Sequence, residues 1–161
     1  MSFEKAKQHI EDAGLGARIK NLPQSSATVA LAAEALGCEA GRIAKTLSFL
    51  IGDAAVLIVA AGDAKIDNGK FKAAFCAKPK MVPAGLVEAY VGHKPGGVCP
   101  FGANRGVGAY LDISLKRFDT VYPACGNGSS AVELTVAELE SLSASLGWVD
   151  VCGGWNPQLN F

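Results

Sequence analysis

The sequence has few of the residues from which metal sites and disulfide frameworks are built. Only two histidines occur among its 161 residues. The five cysteines (Cys38, Cys76, Cys99, Cys125 and Cys152) are odd in number, lie far apart and form no Cys-x-x-Cys pair. This pattern argues against a clustered zinc site and a disulfide scaffold, and it suits reduced thiols. We expect neither a bound metal nor a cofactor.

Long apolar runs and an excess of one charge are also missing. The longest apolar run, residues 54–61, is far shorter than the roughly 20 residues of a membrane-spanning helix. The N-terminus lacks the apolar stretch of a secretion signal. Fifteen basic residues balance fifteen acidic ones, so no general attraction for nucleic acid exists. We expect a cytoplasmic protein, without membrane contact, that would hold a nucleic acid only locally.

Apolar residues are abundant enough for one globular core. Half of the residues are hydrophobic, and the mean hydropathy is +0.24. A chain of this length can bury most of its surface as one domain but is too short for two. We assign the domain to residues 1–152 and a C-terminal tail to residues 153–161, which either frays or docks through Trp155 and Phe161.

Hydrophobic periodicity predicts a mixture of helices and strands. Helices are expected near the N-terminus, after Ser25 or Ser26, from Asp67 or Asn68, from Pro83, and after the capping box of Thr135 and Glu138. The strongest strand signal is a hairpin, 43–51 and 54–61, about the turn Gly52-Asp53, which we expect at the centre of the sheet. Further strands are expected at 17–22, 109–115, 119–125, 131–134 and 148–151.

Lys45 is the first candidate for chemistry. In a strand it shares the more apolar face with Ile43, Leu47 and Phe49. A lysine on such a face becomes a reactive or substrate-binding cation when it is desolvated or paired with a carboxylate. The alternative is a lysine at a strand end whose ammonium reaches water. The strand pattern alone leaves both open.

Two glycine-containing segments are candidates for ligand binding. Residues 93–108 are too rich in Gly and Pro for a regular element, and Gly96 and Gly97 allow close approach to a ligand. No P-loop or dinucleotide-binding motif is present. Cys99 is a possible nucleophile with His93 as base, or a small thiol that lines a pocket. Residues 124–130 form a second such loop or an ordinary turn.

A basic segment follows the hairpin. Between residues 65 and 80 five lysines accompany one acid, which fits either phosphate contacts or a solvated helix face. Asp63, Lys65 and Asp67 alternate, so an extended backbone would fix Lys65 between two carboxylates.

The segments RIAKTLSF (42–49), GDAKID (62–67), GGVCPFG (96–102), YLDISL (110–115) and ACGNGSS (124–130), in this order, resemble the YbaK family. That family comprises single-domain relatives of the editing insertion of bacterial prolyl-tRNA synthetase. The resemblance implies a mixed α/β domain with a curved, partly barrel-like sheet surrounded by helices. It also implies an aminoacyl-tRNA deacylase that hydrolyses in trans the ester of a wrong small amino acid, most often on the proline tRNA. A transient contact with prolyl-tRNA synthetase is a further expectation.

The resemblance also implies roles for single residues. Lys45 matches the lysine that these deacylases need, and Gly96, Gly97 and Gly102 match the loop that faces the aminoacyl ester. The expected substrate-binding set is Thr46, Gly96, Gly97, Val98, Cys99, Pro100, Phe101, Gly102, Cys125, Gly126, Asn127, Gly128 and Ser129. The expected tRNA-binding set is Lys65, Lys70, Lys72, Lys78 and Lys80.

In this hypothesis the loop amides and Lys45 stabilise the ester's developing charge while water attacks. Cys99 and Cys125 depart from the usual family residues and would tune the pocket. Two rivals remain: a non-catalytic module that binds aminoacyl-tRNA or a synthetase, and a thiol-dependent hydrolase that uses Cys99.

Overall fold

The predicted hairpin lies at the centre of the fold. In the computed structural model, which describes residues 2–22 and 28–155, strands Ile43–Ile51 and Ala54–Ala61 pair antiparallel, from the pair of Ala44 with Ala61 to the pair of Ile51 with Ala54. The connecting turn places Gly52 at a φ of 61°, a left-handed conformation that glycine adopts without steric cost. The prediction of this hairpin and of its bounds is confirmed.

The strands are β1 (Ile19–Asn21), β2 (Ile43–Ile51), β3 (Ala54–Ala61), β4 (Lys65–Ile66), β5 (Gly108–Asp112), β6 (Thr120–Pro123), β7 (Ser130–Val132), β8 (Leu134–Thr135), β9 (Trp148–Val149) and β10 (Cys152–Gly153). Six of them form one curled half-barrel in the order β8-β6-β2-β3-β5-β9. Its ladders are mixed, because β2–β6, β3–β5 and β5–β9 are parallel. Two further pairs, β1–β7 and β4–β10, extend the fold. The expected mixed α/β domain with a curved sheet is confirmed.

The helices are α1 (Ser2–Asp12), α2 (Val29–Leu36), α3 (Asn68–Phe75), α4 (Val87–Val91) and α5 (Val136–Leu142). The Asp67 side chain caps α3, and the predicted capping box of α5 is present. Thr28 caps α2 by accepting from the amide of Leu31, whereas Ser25 and Ser26 lie outside the described residues. None of the helices in the described ranges is long and apolar enough to cross a membrane.

All five shorter strand predictions were wrong at their ends. The strands expected at 17–22 and 119–125 are shortened to Ile19–Asn21 and Thr120–Pro123. The strand expected at 109–115 stops at Asp112, because this buried carboxylate accepts from the amides of Ser114 and Val151 and starts a 3-10 turn. The strand expected at 131–134 is divided between β7 and β8, which pair with different partners. The strand expected at 148–151 ends at Val149.

The edge of β2 is paired at both ends and borders a cavity in between. Near its start β2 pairs with β6 through Ile43 and Ala44. Near its end the amide of Leu50 donates to the Lys80 carbonyl, and the amide of Val82 donates to the Ser48 carbonyl. Buried packing of Leu57, Val87 and Val91 holds α4 on this side of the sheet. The sheet and α4 therefore position the cavity described next.

Candidate active site

A cavity of about 540 Å³ lies against the middle of β2. Its walls come from five parts of the chain: β2, the start of α2, residues 81–87, the glycine loop at 95–98, and residues 122–131. Of the described residues that line it, Lys45 alone carries a charge. Most of the other described lining residues are apolar, so a ligand that binds here is desolvated and contacts one cationic side chain.

Lys45 is half-buried, and its ammonium is held by a backbone turn. Its Nζ donates to the carbonyl of Ala64 and lies 3.5 Å from that of Gly62. Because an ammonium has three N–H groups, one remains for a ligand. Gly62 is required here by close approach, since a Cβ would lie 2.1 Å from the Ala40 carbonyl oxygen. The turn at 62–64 thus fixes the cation beside the cavity.

Burial lowers the pKa of Lys45 below its ordinary value and is the largest influence on it. The Asp63 carboxylate acts in the opposite direction. The nearby Cys152 thiol is neutral at pH 7, because its own pKa is raised to about 12 by burial. Asp63 is therefore the anion that favours the charged form of Lys45.

Thr46 supplies an unsatisfied polar group to the same cavity. Strand alternation puts it on the opposite sheet face from Lys45, and the cavity reaches both faces because it lies at the strand's edge. Its Oγ1 is buried and has no hydrogen-bond partner within residues 2–22 and 28–155. A buried hydroxyl without a partner calls for an explanation, and a ligand that reached it on binding would provide one.

The structure brings the two glycine-containing loops together at the cavity. Gly96, Val98 and Asn127 line it. A Cβ on Gly97 would lie 2.5 Å from the backbone of Gly126 and Asn127, so the loops touch through their main chains. The Asn127 side-chain oxygen accepts from the Ser129 amide and the Ser130 hydroxyl, which leaves its NH₂ group to serve a ligand.

Cys99 and His93 are close together, but their surroundings oppose thiolate chemistry. Cys99 Sγ lies 3.6 Å from His93 Nε2, and both side chains are fully buried. His93 Nε2 is 2.7 Å from the Phe101 carbonyl and must carry the donated proton, so it is not free to accept one from the thiol. Burial raises the pKa of Cys99 to about 12. The pair holds the loop together and does not present a nucleophile to the cavity.

The other predicted substrate contacts fall into three groups. Pro100, Phe101 and Cys125 are buried beneath the loops with Cys99. Gly97, Gly126 and Gly128 line a second cavity of about 620 Å³, together with Lys5 and Lys94. Gly102 packs against the backbone of α1 at Lys5, and Ser129 is exposed.

The predicted tRNA-binding lysines are all exposed, and none of them lines the main cavity. Lys70 forms an ion pair of 3.0 Å with Asp150. The expectation that Lys65 lies between two carboxylates was wrong, because Asp63 pairs with Arg117 and Asp67 caps α3. Lys80 directly precedes Met81, which lines the cavity. Within the described residues, no group of three or more His, Cys, Asp or Glu side chains converges as metal ligands do.

Sequence reasoning missed the apolar walls of the cavity. Met81, Val82 and Val87 come from a segment without a motif, and Tyr122 comes from β6. The only local signal was the pair of apolar residues after Lys80. Their place in the wall depends on packing against β2 and could not be read from spacing.

Comparison with known proteins agrees with this geometry. The model of the aminoacyl-tRNA editing domain family matches residues 24–142, which include Lys45 and both glycine-containing loops. The chain belongs to the aminoacyl-tRNA editing domain family. Editing is the hydrolysis of an aminoacyl-tRNA ester, so the protein is an enzyme of the aminoacyl-tRNA deacylase class.

Three known proteins are similar to this editing-domain protein. YwhH of Bacillus subtilis (strain 168), an uncharacterized protein, is 48% identical over 156 residues, which cover 96% of this chain and 99% of YwhH. EbsC of Enterococcus faecalis (strain ATCC 700802 / V583), named for Cys-tRNA(Pro)/Cys-tRNA(Cys) deacylase activity, is 31% identical over 114 residues and 69% of each chain. A crystal structure assigned to a trans-editing enzyme for prolyl tRNA synthetase superposes with a TM-score of 0.85 at 30% identity, covering 95% of this chain and 98% of its own.

Proposed function

We propose that this protein is a trans-acting deacylase that removes a wrong small amino acid from the proline tRNA. The observation that carries the proposal is the cavity in which one cation, Lys45, stands among apolar walls and glycine-loop backbone. The names of EbsC and of the similar crystal structure support the proline tRNA as substrate and prolyl-tRNA synthetase as a transient partner.

An aminoacyl ester is already activated, so its hydrolysis needs a positioned water and stabilised charge more than a strong nucleophile. In the proposed reaction the free N–H of Lys45 orients the ester and stabilises the oxyanion that forms when water attacks. Backbone amides of the loop at Gly96 and Val98 polarise the same carbonyl. The partly desolvated site strengthens both interactions, because few water dipoles screen the ammonium.

The walls of the cavity set the choice of amino acid. Met81, Val82 and Val87 restrict the room beside the aminoacyl group, which favours small side chains by size. The unpartnered Thr46 hydroxyl favours those small side chains that carry a hydrogen-bonding group. Serine, threonine and cysteine on the proline tRNA are therefore preferred over alanine in this proposal.

The tRNA is held weakly and near its acceptor end, because the protein has no net charge. Lys72, Lys78 and Lys80 are the exposed lysines proposed to contact phosphates beside the cavity. Lys70 contributes less, since Asp150 already occupies its ammonium. Lys65 is the fifth lysine of the proposed tRNA-binding set.

The test is deacylation of proline tRNA charged with alanine, serine, threonine, cysteine or proline. Wild type is expected to hydrolyse one or two of the small amino acids rapidly and to spare prolyl-tRNA. Lys45→Met, which keeps the length of the side chain without its charge, is expected to lower kcat by about 100-fold or more, as loss of an oxyanion donor does.

The matched control is Lys20→Ala, an exposed lysine on β1 that does not line the cavity. It is expected to retain wild-type turnover. Full activity of a folded Lys45→Met would contradict the proposed chemistry. If no ester disappears faster than in buffer while the charged tRNA still binds, the protein is a binding module instead.

A further inference from the structure

The turn that holds the Lys45 ammonium is itself held by an ion pair outside the cavity. Asp63 lies between Gly62 and Ala64, whose carbonyls face Lys45 Nζ. Both oxygens of Asp63 are engaged by Arg117, with Nη1 at 2.9 Å from Oδ2 and Nη2 at 2.6 Å from Oδ1. A bidentate pair of this kind fixes the orientation of the carboxylate as well as its position.

Arg117 is a firm anchor because its side chain is almost fully buried and its guanidinium makes several contacts. The side chain is only 4% exposed, and its Nε donates to the Ser114 carbonyl at 2.9 Å. Its guanidinium lies 4.7 Å from the ring centroid of Phe118 and 5.0 Å from that of Trp155. The Ser114 hydroxyl accepts from the amide of Ala61, so the same segment also holds the last residue of β3 before the turn.

The pair also sets the charge beside Lys45. Arg117 lowers the pKa of Asp63 through the hydrogen bonds that it donates, so the carboxylate remains ionised. The ionised carboxylate favours the charged form of Lys45 against the effect of burial. The pair is only partly buried, because the Asp63 side chain is 30% exposed, and such a pair is weak evidence for a role in stability. Its position behind the turn that holds Lys45 is the more informative feature.

We propose that Asp63 and Arg117 are positioning residues for Lys45 in ester hydrolysis. They hold the turn so that its carbonyls accept two N–H groups of the ammonium and leave the third directed at the ester. Neither side chain lines the cavity, so both act through Lys45. This inference rests on the proposed function, because it assigns the pair a purpose in the same reaction.

The first experiment compares Asp63→Asn with Glu39→Gln. Asp63→Asn keeps the size of the side chain and removes its charge, and it is expected to lower kcat by about tenfold while KM for charged tRNA stays within about twofold. Glu39→Gln breaks the exposed Glu39–Arg42 ion pair, at 2.7 Å, and is expected to change neither constant. Thermal unfolding of both variants checks that they are folded.

The second readout is the pKa of Lys45 itself, followed by NMR of lysines methylated with ¹³C-formaldehyde and assigned with Lys45→Arg. Asp63→Asn is expected to move the pKa of Lys45 further below that of wild type, because an anion is lost. A folded Asp63→Asn with unchanged kcat, or with lower kcat and an unchanged Lys45 pKa, would overturn the proposal.

If Asp63→Asn does not fold, Arg117→Lys takes its place, since lysine keeps the charge but loses the bidentate contact. A similar loss in kcat with KM within about twofold supports the proposal, and a folded variant with wild-type kcat rejects it. The two hypotheses fail separately. If Lys45→Met retains full activity, the proposed chemistry is wrong, while a lower Lys45 pKa in Asp63→Asn would still show that the pair sets the charge of Lys45.

Discussion

Two of the cavity's walls, strand β2 and the glycine loop, are built in different ways. β2 is paired with β3 from Ala44 to Ile51, so the hairpin's own hydrogen bonds and alternation decide where Lys45 and Thr46 point. The glycine loop at 93–107 contains no helix or strand and is held by buried side chains and by contact with residues 126–127. The ordered strand supplies the charge and a hydroxyl, and the loop supplies backbone. The conformation of the strand wall is therefore determined by local pairing, and that of the loop wall by tertiary contacts.

If the loop depends on tertiary contact, the largest effect is expected where that contact is tightest. Gly97→Ala would bring a methyl group within 2.5 Å of the backbone of Gly126 and Asn127, which cannot yield as a side chain can. We expect turnover to fall by about 100-fold, because misplacement by about 1 Å has such a cost, and the free energy of unfolding to fall by about 2 kcal/mol.

Gly85→Ala is the matched control for this prediction. A Cβ at Gly85 meets nothing within 4 Å, and Gly85 does not adopt a positive φ. Deacylation kinetics and chemical denaturation should find this variant as active as wild type and at least as stable. Equal behaviour of the two alanine variants would show that the contact between the loops is unimportant.

A smaller and selective effect is expected on the strand wall. Thr46→Val removes the unpartnered hydroxyl at nearly constant shape. We expect deacylation of seryl- or threonyl-tRNA to slow by about fivefold relative to alanyl-tRNA, the value of one hydrogen bond of about 1 kcal/mol. Competition between the charged tRNAs measures this ratio directly. An equal loss on all of them would mean that Thr46 supports the wall without reading the substrate.

The smallest effect concerns the buried histidine of the loop wall. Burial lowers the pKa of His93 in the folded protein, so the folded state favours the neutral ring. Below the unfolded-state pKa of about 6.5 the unfolded chain binds the proton more readily, and stability is lost as the pH falls. We expect the free energy of unfolding to decline between about pH 7 and pH 5. His93→Gln keeps an N–H donor for the Phe101 carbonyl but does not titrate, so it should make this decline shallower.

His9→Gln is the control for that measurement. His9 Nε2 also lies 2.7 Å from a carbonyl, that of Leu142, but the residue is only half-buried. Urea denaturation across the pH range should leave the decline unchanged in this variant. A decline that disappears with His9 rather than with His93 would assign the effect to α1 instead of to the loop.

The hairpin, the cap of α3 and the capping box of α5 could be predicted because neighbouring residues determine them. The turn at Gly52-Asp53 and the alternating strand residues specify their own pairing. The end of β5 could not be predicted in this way. It depends on Asp112, whose carboxylate accepts a hydrogen bond from the amide of Val151, a residue 39 positions away.

The candidate site also has parts that could be predicted from the sequence and parts that could not. Lys45 and the glycine-containing loops were identified from the ordered motifs of the family, and the family model matches the region that contains them. The partner of Asp63 was predicted wrongly, because alternation in a short segment pointed to Lys65 while the fold brings Arg117, 54 residues away, to that carboxylate.

The sequence by itself determined the hairpin, most of the helices and the family, since these follow from local pairing, capping and an ordered set of motifs. Only the tertiary structure decided that Met81 and Val87 wall the cavity, that Cys99 is buried with His93, and that the turn beneath Lys45 is held by Asp63 and Arg117. The physical reason is distance along the chain. Contacts between residues far apart in sequence depend on the packing of the whole sheet, and no local pattern encodes them.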